Sequence, residues 1–108
     1  MSELETTLQD YVPLFKAFCN GTRAKIIEQL LHGERCVCEI TAELDFSQPL
    51  ISHHLAVLKE TGLIRQRGAG ARSYYAIDWQ RLDGLIDGFR ALVEAYRADS
   101  VPSRGCVR

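Results

Sequence analysis

The sequence predicts a mainly α-helical domain with one small β-hairpin. Near both ends of the chain, apolar residues recur at alternating steps of three and four, which is the spacing of a helix face. Between these stretches, two runs of alternating apolar and polar residues flank a Gly-Ala-Gly loop, which is the pattern of a hairpin. The chain has 108 residues, 46% of them hydrophobic and 25% charged, and this composition is typical of one folded domain.

The first part of the chain contains three predicted helices. The apolar stripe of residues 4–18 predicts the first, and Pro13 within it is expected to kink or break the helix because proline lacks a backbone N–H. The second covers residues 22–33 and ends at a glycine. The third is short, covers residues 36–44, and is expected to turn Val37 toward the core.

The fourth predicted helix has clear signals at both ends. Ser47 is a favourable N-cap residue, and Gly62 is a favourable terminator. Three residues within about 60° of one another on a helical wheel form its buried edge: Ile51, Leu55 and Leu58. His53 points away from that edge, whereas His54 lies nearer to it and is expected to be packed. Together with the third helix, this segment has the pattern of a helix-turn-helix.

A basic hairpin follows the helix-turn-helix. Residues 47–77 contain one lysine, three arginines and one glutamate, although the whole chain has a formal net charge of −1. This order of elements predicts a winged helix, whose second helix presents its N-terminal residues to base edges in the major groove. Arginines of the wing would contact phosphates or the minor groove. The residues predicted to bind DNA are Ser47, Gln48, Ser52, His53, Lys59, Arg67 and Arg72.

The last predicted helix covers residues 79–96 and bears a wide stripe of large apolar side chains. Both terminal helices are more apolar than a core of this size requires, so we expect them to pack against a second copy of the chain. The prediction is a homodimer built on the terminal helices. The domain is expected to span residues 1–97, with residues 98–108 as a flexible C-terminal tail.

Four segments of the chain carry a family resemblance: GTRAKIIEQLL, CVCEI, SQPLISHHLAVLKETGLI and RQRGAGARSYYAI. Over about residues 10–97, the sequence resembles the ArsR/SmtB family of metal-responsive bacterial repressors. The resemblance implies a homodimeric winged helix-turn-helix repressor that binds an inverted-repeat operator in double-stranded DNA and leaves it when an inducer binds. The chain departs from the family pattern at Gly21, where proline is common, and this difference concerns a turn rather than the function.

The motif CVCEI places two thiols one residue apart. Closely spaced thiolates select soft ions, and the resemblance assigns such pairs to sensors of arsenite and antimonite or of cadmium and lead. Cys36 and Cys38 are therefore the predicted ligands, with As(III) or Sb(III) as the inducer and no permanent cofactor. One arsenite type has a third cysteine where this chain has Thr41, so Cys106 is predicted as the third ligand. Cys19, expected to be a small buried side chain, and an external ligand remain alternatives.

The spacing of the two thiols suggests a mechanism. Residues two apart on an α-helix differ by about 200° around its axis. If Val37 faces inward within the helix of residues 36–44, Cys36 and Cys38 flank it and cannot bind one ion while the turn stays helical. The hypothesis is that inducer binding unwinds the start of this helix, which supports residues 47–61, and thereby lowers the affinity for the operator.

Other inducers and one other class of protein compete with this interpretation. A cadmium- or lead-responsive repressor, or a thiol-redox-responsive one, would use the same fold and the same cysteine pair. A repressor of the same fold that responds to another signal, with incidental cysteines, is a further alternative. An enzyme is not expected, because the chain has no nucleophile elbow, phosphate loop or zinc-hydrolase spacing. The acidic N-terminus is unlike a secretory signal, and no apolar run approaches the about 20 residues of a membrane span, so a cytoplasmic protein is expected.

Overall fold

The computed structural model describes residues 7–103 and Gly105. In this part of the chain, a 3₁₀ turn at Leu8–Tyr11 precedes five α-helices and three β-strands. Their bounds in chain order are α1 Val12–Phe18, α2 Gly21–Leu31, β1 Arg35–Cys36, α3 Val37–Leu44, α4 Gln48–Glu60, β2 Ile64–Ala69, β3 Arg72–Ile77 and α5 Trp79–Asp99. The architecture is mainly α-helical with one small antiparallel sheet, which confirms the predicted fold class.

The N-terminal apolar stripe forms two pieces rather than one helix. Pro13 lies in the first turn of α1, where the N–H that proline lacks would have no partner within the helix. The backbone leaves helical geometry at Tyr11, with φ −102° and ψ 2°. The predicted break near Pro13 is confirmed, and the predicted helix start at residue 4 lies outside the described residues.

α3 begins one residue later than predicted, at Val37. Cys36 is its N-cap residue, has an extended backbone (φ −85°, ψ 164°), and pairs with Tyr74 as the second residue of β1. The predicted start of this helix at residue 36 is therefore wrong. Cys36 is 2% exposed, and Val37 is partly buried and packs against the core, as predicted. A strand of two residues is too short to show alternation, so no sequence pattern indicates β1.

α3 and α4 form the predicted helix-turn-helix. The left-handed backbone of Asp45 (φ 58°) ends α3 and redirects the chain. Ser47 caps α4, because its Oγ accepts a hydrogen bond from the backbone N–H of Leu50 at 3.3 Å. α4 ends at Glu60, and Gly62 follows with φ 83°. Both terminal signals predicted for this helix are thus confirmed.

The predicted hairpin belongs to a three-stranded antiparallel sheet of order β1-β3-β2. β2 and β3 pair from Ile64 opposite Ile77 to Ala69 opposite Arg72. Gly70 occupies the first position of the two-residue loop with φ 63°, a conformation that glycine adopts without strain. β1 pairs along the other edge of β3, so the sheet connects the start of α3 to the hairpin.

One apolar core lies between the helices and the sheet. Its least exposed large side chains are Ile26, Leu30, Ile40, Ile51, Leu55, Leu58 and Leu63. The three α4 residues that the sequence predicts to be buried all belong to this set, which confirms the predicted inner edge of α4. No helix in the described part of the chain is both long and apolar enough to cross a membrane.

α5 packs against this core only near its start, through the partly buried Leu82 and Leu85, and its remaining length extends beyond the core. It has no buried residue and continues to Asp99, two residues beyond the predicted domain end at residue 97. Several of its large apolar side chains are exposed: Trp79, Ile86, Val93 and Tyr96. The radius of gyration is 18.2 Å, well above the about 13 Å of a compact domain of this length. The apolar stripe of α5 therefore lies largely uncovered in the single chain.

Phe89 joins α5 to the N-terminal segment. Its ring centroid lies 5.4 Å from the rings of both Tyr11 and Phe15, in edge-to-face geometry. Gly88 permits this approach, since a Cβ atom there would lie 2.5 Å from Oη of Tyr11. The two terminal segments thus pack on each other within one chain and leave their outer apolar side chains exposed.

An arginine links α1, α2 and α4. Arg23 donates from Nε to the carbonyl of Ala17 at 3.3 Å and from Nη2 to that of Lys16 at 3.1 Å. Its Nη1 lies 3.4 Å from Nδ1 of His54. His54 is 7% exposed, which confirms that it is packed. Burial, together with the charges of Arg23 and His53, lowers the pKa of His54 below its ordinary value of 6.5.

Acidification should destabilise the domain through His54. The unfolded chain takes up a proton near pH 6.5 and the folded domain only at lower pH, so the free energy of unfolding falls as the pH drops below 6.5. One group contributes a slope of at most about 1.4 kcal/mol per pH unit. In urea titrations between about pH 7 and pH 5, His54→Gln should flatten the slope of the free energy of unfolding against pH more than His53→Gln, because His53 contributes only the smallest of the three effects that lower the pKa of His54. An unchanged slope in His54→Gln would contradict this assignment.

Candidate DNA interface and thiol site

The N-terminal half of α4 presents polar side chains to solvent. Ser47, Gln48, Ser52 and His53 are all exposed, as DNA contact requires. Gln48 and Ser52 are one turn apart and lie on the same side of the helix. Hydroxyl and amide groups both donate and accept hydrogen bonds, which suits them to base edges and phosphates. Their role in DNA binding stays a prediction, and the structure leaves each of them accessible for it.

Side-chain hydrogen bonds join Lys59 of α4 to the hairpin. Nζ of Lys59 donates to Oε1 of Gln66 at 2.7 Å, and Nε2 of Gln66 donates to Oγ of Ser73 at 3.1 Å. These contacts run from α4 across β2 to β3. These hydrogen bonds help to orient the hairpin relative to α4. Because Gln66 is neutral, the positive charge of Lys59 remains uncompensated by this contact.

Arg67 has a carboxylate partner that the sequence did not predict. Its Nε and Nη2 donate to the two carboxylate oxygens of Glu34 at 3.1 and 2.8 Å, and its guanidinium lies 5.0 Å from the centroid of the Tyr74 ring. The hydrogen bonds lower the pKa of Glu34 and raise the pKa of Arg67. Arg72, in contrast, has no carboxylate within ion-pair distance among the described residues.

The two thiols of CVCEI meet with α3 intact. The Cα atoms of Cys36 and Cys38 are 5.3 Å apart, and the two sulfur atoms are joined as a disulfide. This contact forms because Cys36 is extended and precedes the helix, so the angular separation of two helical residues does not apply. The expectation that the two thiols cannot meet while both are helical agrees with this geometry, but Cys36 is already extended, so the hypothesis that the inducer must unwind α3 is not needed.

Cys36 also caps α3. Its Sγ accepts a hydrogen bond from the backbone N–H of Glu39 at 3.3 Å, and Oε1 of Glu39 accepts one from the backbone N–H of Cys36 at 2.9 Å. This reciprocal capping box satisfies two backbone donors at the helix start. A ligand on Cys36 therefore acts on a sulfur that also holds the first turn of α3.

The thiol pair lines a cavity between α4 and the hairpin. The cavity has a volume of about 400 Å³, and both cysteines lie on its wall. Gln48 and Ser52 of α4 and Arg72 of the hairpin line it as well. The structure thus brings both predicted metal ligands together with three of the residues predicted to bind DNA.

Two cysteines remain as candidates for a third ligand: Cys106 and Cys19. Cys106 is outside the described residues. Cys19 is exposed at the C-terminal end of α1, where its Sγ donates to the carbonyl of Lys16 at 3.4 Å, so its expected burial is wrong and it lines no part of the cavity as described. Thr41 follows Cys38 by one turn, and in the described structure its Oγ1 is buried without a hydrogen-bond partner.

Three neighbours of the site escaped the sequence analysis: Glu34, Gln66 and Tyr74. Arg67 lies opposite Tyr74 in the β2–β3 register, and a two-residue hairpin loop could have placed this pair. Glu34 reaches Arg67 only because β1 adds to the sheet. Since β1 left no pattern in the sequence, no local signal could have found this ion pair.

An exposed polar helix within a helix-turn-helix, followed by an antiparallel hairpin, defines a winged helix-turn-helix DNA-binding protein. Residues 20–66 match the model of the bacterial regulatory proteins of the arsR family. The chain is 38% identical over 100 residues to the arsenical resistance operon repressor of Escherichia coli K12, which covers 90% of this chain and 81% of that protein. The chain belongs to the ArsR family of DNA-binding transcriptional regulators, which are not enzymes.

Two further similarities are to a regulator of cadmium resistance and to a solved DNA-binding domain. A Staphylococcus aureus homolog of the cadmium resistance regulatory protein CadC is 37% identical over 79 residues, which cover 72% of this chain and 65% of that protein. A solved homodimeric winged helix-turn-helix domain from Mycobacterium bovis matches with a TM-score of 0.67 at 28% identity and covers 96% of this chain and 97% of that one. The names of the relatives differ in their metal, so the family does not determine the inducer.

Proposed function

We propose that this chain is a repressor that releases its operator when As(III) or Sb(III) binds the thiolates of Cys36 and Cys38. The observation that carries the proposal is the meeting of the two sulfur atoms on the wall of a cavity shared with candidate DNA-binding residues. Thiolate pairs prefer soft ions. In the reduced protein, arsenous acid exchanges two hydroxyl groups for the two thiols and releases two water molecules. Cys106 is the proposed third ligand.

The proposed operator is double-stranded DNA with an inverted repeat, bound by a homodimer. Each α4 enters the major groove of one half-site, and the symmetry of the repeat matches the symmetry of the dimer. Base edges face the exposed side chains of Ser47, Gln48, Ser52 and His53. The hairpin contributes phosphate contacts from Arg67 and Arg72, and Lys59 adds a third cation.

Inducer and operator are coupled through the shared cavity. An arsenic atom on Cys36 and Cys38 would lie in the cavity that Gln48, Ser52 and Arg72 also line, and there it would change the surroundings of side chains proposed to meet DNA. In this proposal the coupling acts through the shared cavity rather than through an unwinding of α3. By linkage, the operator weakens inducer binding by the same factor.

A redox-responsive repressor is the second candidate function. The disulfide between Cys36 and Cys38 favours it, because the thiols are placed to react with each other. Peroxide would accept two electrons and two protons from the two thiols, which yields one disulfide and two water molecules. The disulfide and a bound ion would act on the same cavity wall, so the two candidates differ only in the effector.

Serine at either position of the pair should abolish the response to arsenite. The measurement is fluorescence anisotropy of a labelled duplex that the reduced protein has selected from a random library. Arsenite should release the duplex from the wild type and from Cys19→Ser, whose thiol lies at the end of α1. It should fail to release the duplex from Cys36→Ser and Cys38→Ser, because each variant lacks one of the two thiolates that meet on the cavity wall.

The same assay distinguishes the candidate effectors. Antimonite, cadmium, lead, zinc and peroxide are titrated in parallel, with a reductant added back after peroxide. Release by peroxide alone, reversed by the reductant, supports the redox candidate. Release by arsenite in both serine variants contradicts the proposed thiol site. Cys106→Ser should weaken the response to arsenite without changing the affinity for the duplex.

Cysteine at position 41 should strengthen arsenite binding. The side chains of Cys38 and Thr41 are neighbours on α3, and the buried hydroxyl of Thr41 has no partner in the described structure. In a Cys106→Ser background, Thr41→Cys should bind arsenite at least roughly tenfold more tightly by calorimetry, which corresponds to about 1.4 kcal/mol. Thr41→Val, which removes the hydroxyl without adding sulfur, should not. Equal affinities for the cysteine and valine variants would show that position 41 does not face the ion.

The proposed dimer buries the exposed apolar stripe of α5 against a second copy. Ile86 and Val93 lie on this stripe and are 47% and 38% exposed in the single chain, and the elongated shape leaves α5 accessible along its length. Phe15 and Phe18 on α1 are also exposed and extend the apolar surface. Apolar patches of this kind on small proteins mark interfaces between proteins.

A charge in this stripe should dissociate the dimer. Val93→Glu would bury an unpaired carboxylate in the proposed interface, so sedimentation velocity should show a monomer, and the affinity for a two-half-site duplex should fall. Ala91→Glu is the matched control, because residue 91 is exposed and lies about 200° from residue 93 around the helix. A Val93→Glu protein that sediments like the wild type would exclude α5 as the dimer contact.

A further inference from the structure

One cation of the candidate DNA interface is already neutralised within the protein. Arg67 donates two hydrogen bonds to Glu34, at 3.1 and 2.8 Å, in the fork geometry that arginine also uses with phosphate. We propose that Glu34 is a positioning residue for DNA binding: it holds the guanidinium of Arg67 and competes with a backbone phosphate of the operator for it. This inference rests on the proposed function, in which Arg67 meets DNA.

The ion pair contributes little to the stability of the fold. The side chains of Glu34 and Arg67 are 39% and 58% exposed, and exposed pairs add little to folding because water competes for both partners. Its geometry is nevertheless specific, since both carboxylate oxygens and two guanidinium nitrogens take part. Because this ion pair is specific in geometry but adds little to the free energy of folding, we assign its role to the binding of the operator.

The sheet sets the position of Arg67 before DNA arrives. Arg67 on β2 lies opposite Tyr74 on β3, and Tyr74 lies opposite Cys36 on β1. The guanidinium lies 5.0 Å from the Tyr74 ring centroid and reaches Glu34, which precedes β1 by one residue. Arg67 thus extends across the middle strand and is held at both the ring and the carboxylate, so little side-chain freedom remains to be lost on DNA binding.

Glu34 has two opposite effects on the free energy with which a phosphate binds Arg67. The benefit is a guanidinium that is already oriented, and the cost is the negative charge of Glu34, which must give up its hydrogen bonds and repels the phosphate. Added salt weakens the phosphate contact of an unpaired arginine, because that contact releases counterions from DNA. An arginine already paired with Glu34 releases fewer counterions when it binds, so its contribution to affinity depends less on salt. Glu34 therefore limits affinity and reduces its salt dependence.

The test measures operator affinity against salt for the full-length reduced protein. Glu34→Gln keeps the shape and removes the charge, so at about 0.1 M salt it should bind the selected duplex roughly three- to tenfold more tightly than the wild type. The slope of log K against log salt should steepen by up to about 0.9 per protomer, the value for one phosphate neutralised by a cation that has no carboxylate partner of its own. Glu34→Asp, which keeps the charge, should resemble the wild type.

Two controls separate the ion pair from general repulsion. In an Arg67→Gln background, Glu34→Gln should lose most of its gain, because the arginine that it frees is absent. Glu43→Gln removes an equal charge from α3, at an exposed glutamate without an ion pair among the described residues, and should change the affinity less than twofold. Urea unfolding of each variant confirms that it is folded.

The outcomes also separate this inference from the proposed function. An unchanged affinity and salt slope in Glu34→Gln would overturn the inference while the wild type still binds DNA. A gain that persists in full with Arg67→Gln would overturn it as well, since it would then reflect long-range repulsion. If the wild type selects no duplex at all, the proposed function fails and this inference fails with it.

Discussion

The pairing of Arg35 and Cys36 with β3 is the constraint on which the thiol site depends. It holds Cys36 in an extended conformation, and α3 therefore begins at Val37 rather than within the motif CVCEI. Had Cys36 been helical, its side chain would lie about 200° from that of Cys38 around the axis. A strand of two residues thus determines whether two thiols belong to one site or to two.

The same pairing connects the thiol site to the hairpin. Glu34, one residue before β1, reaches Arg67 on the far strand, and Cys36 lies in register with Tyr74. The cavity adds a second connection, because both thiols and the N-terminal residues of α4 line it. Allosteric couplings of about 1–3 kcal/mol are typical, and sites with a common wall need only a small displacement to reach them. No long pathway through the core is required.

Local patterns predicted the parts of the fold that depend on local physics. The break at Pro13, the cap at Ser47 and the terminator at Gly62 followed from sequence, because each depends on residues a few positions away. The packing of His54 followed from its place near the apolar edge of α4. The start of α3 did not follow, since it depends on a strand from the other half of the domain. For the same reason, Arg67 could be predicted from the sequence as a DNA-binding cation, whereas its carboxylate partner Glu34 could not.

The donor set of the cavity favours some inducers over others. Structural zinc sites have four ligands in tetrahedral geometry. In the proposed function, Cys36 and Cys38 supply two sulfur atoms, and the nearby hydroxyl of Thr41 is a poor ligand for a soft ion. Such a pair suits an ion of low coordination number with strong affinity for sulfur. A third thiolate from Cys106 would complete trigonal coordination for As(III) and still leave a tetrahedral ion one donor short.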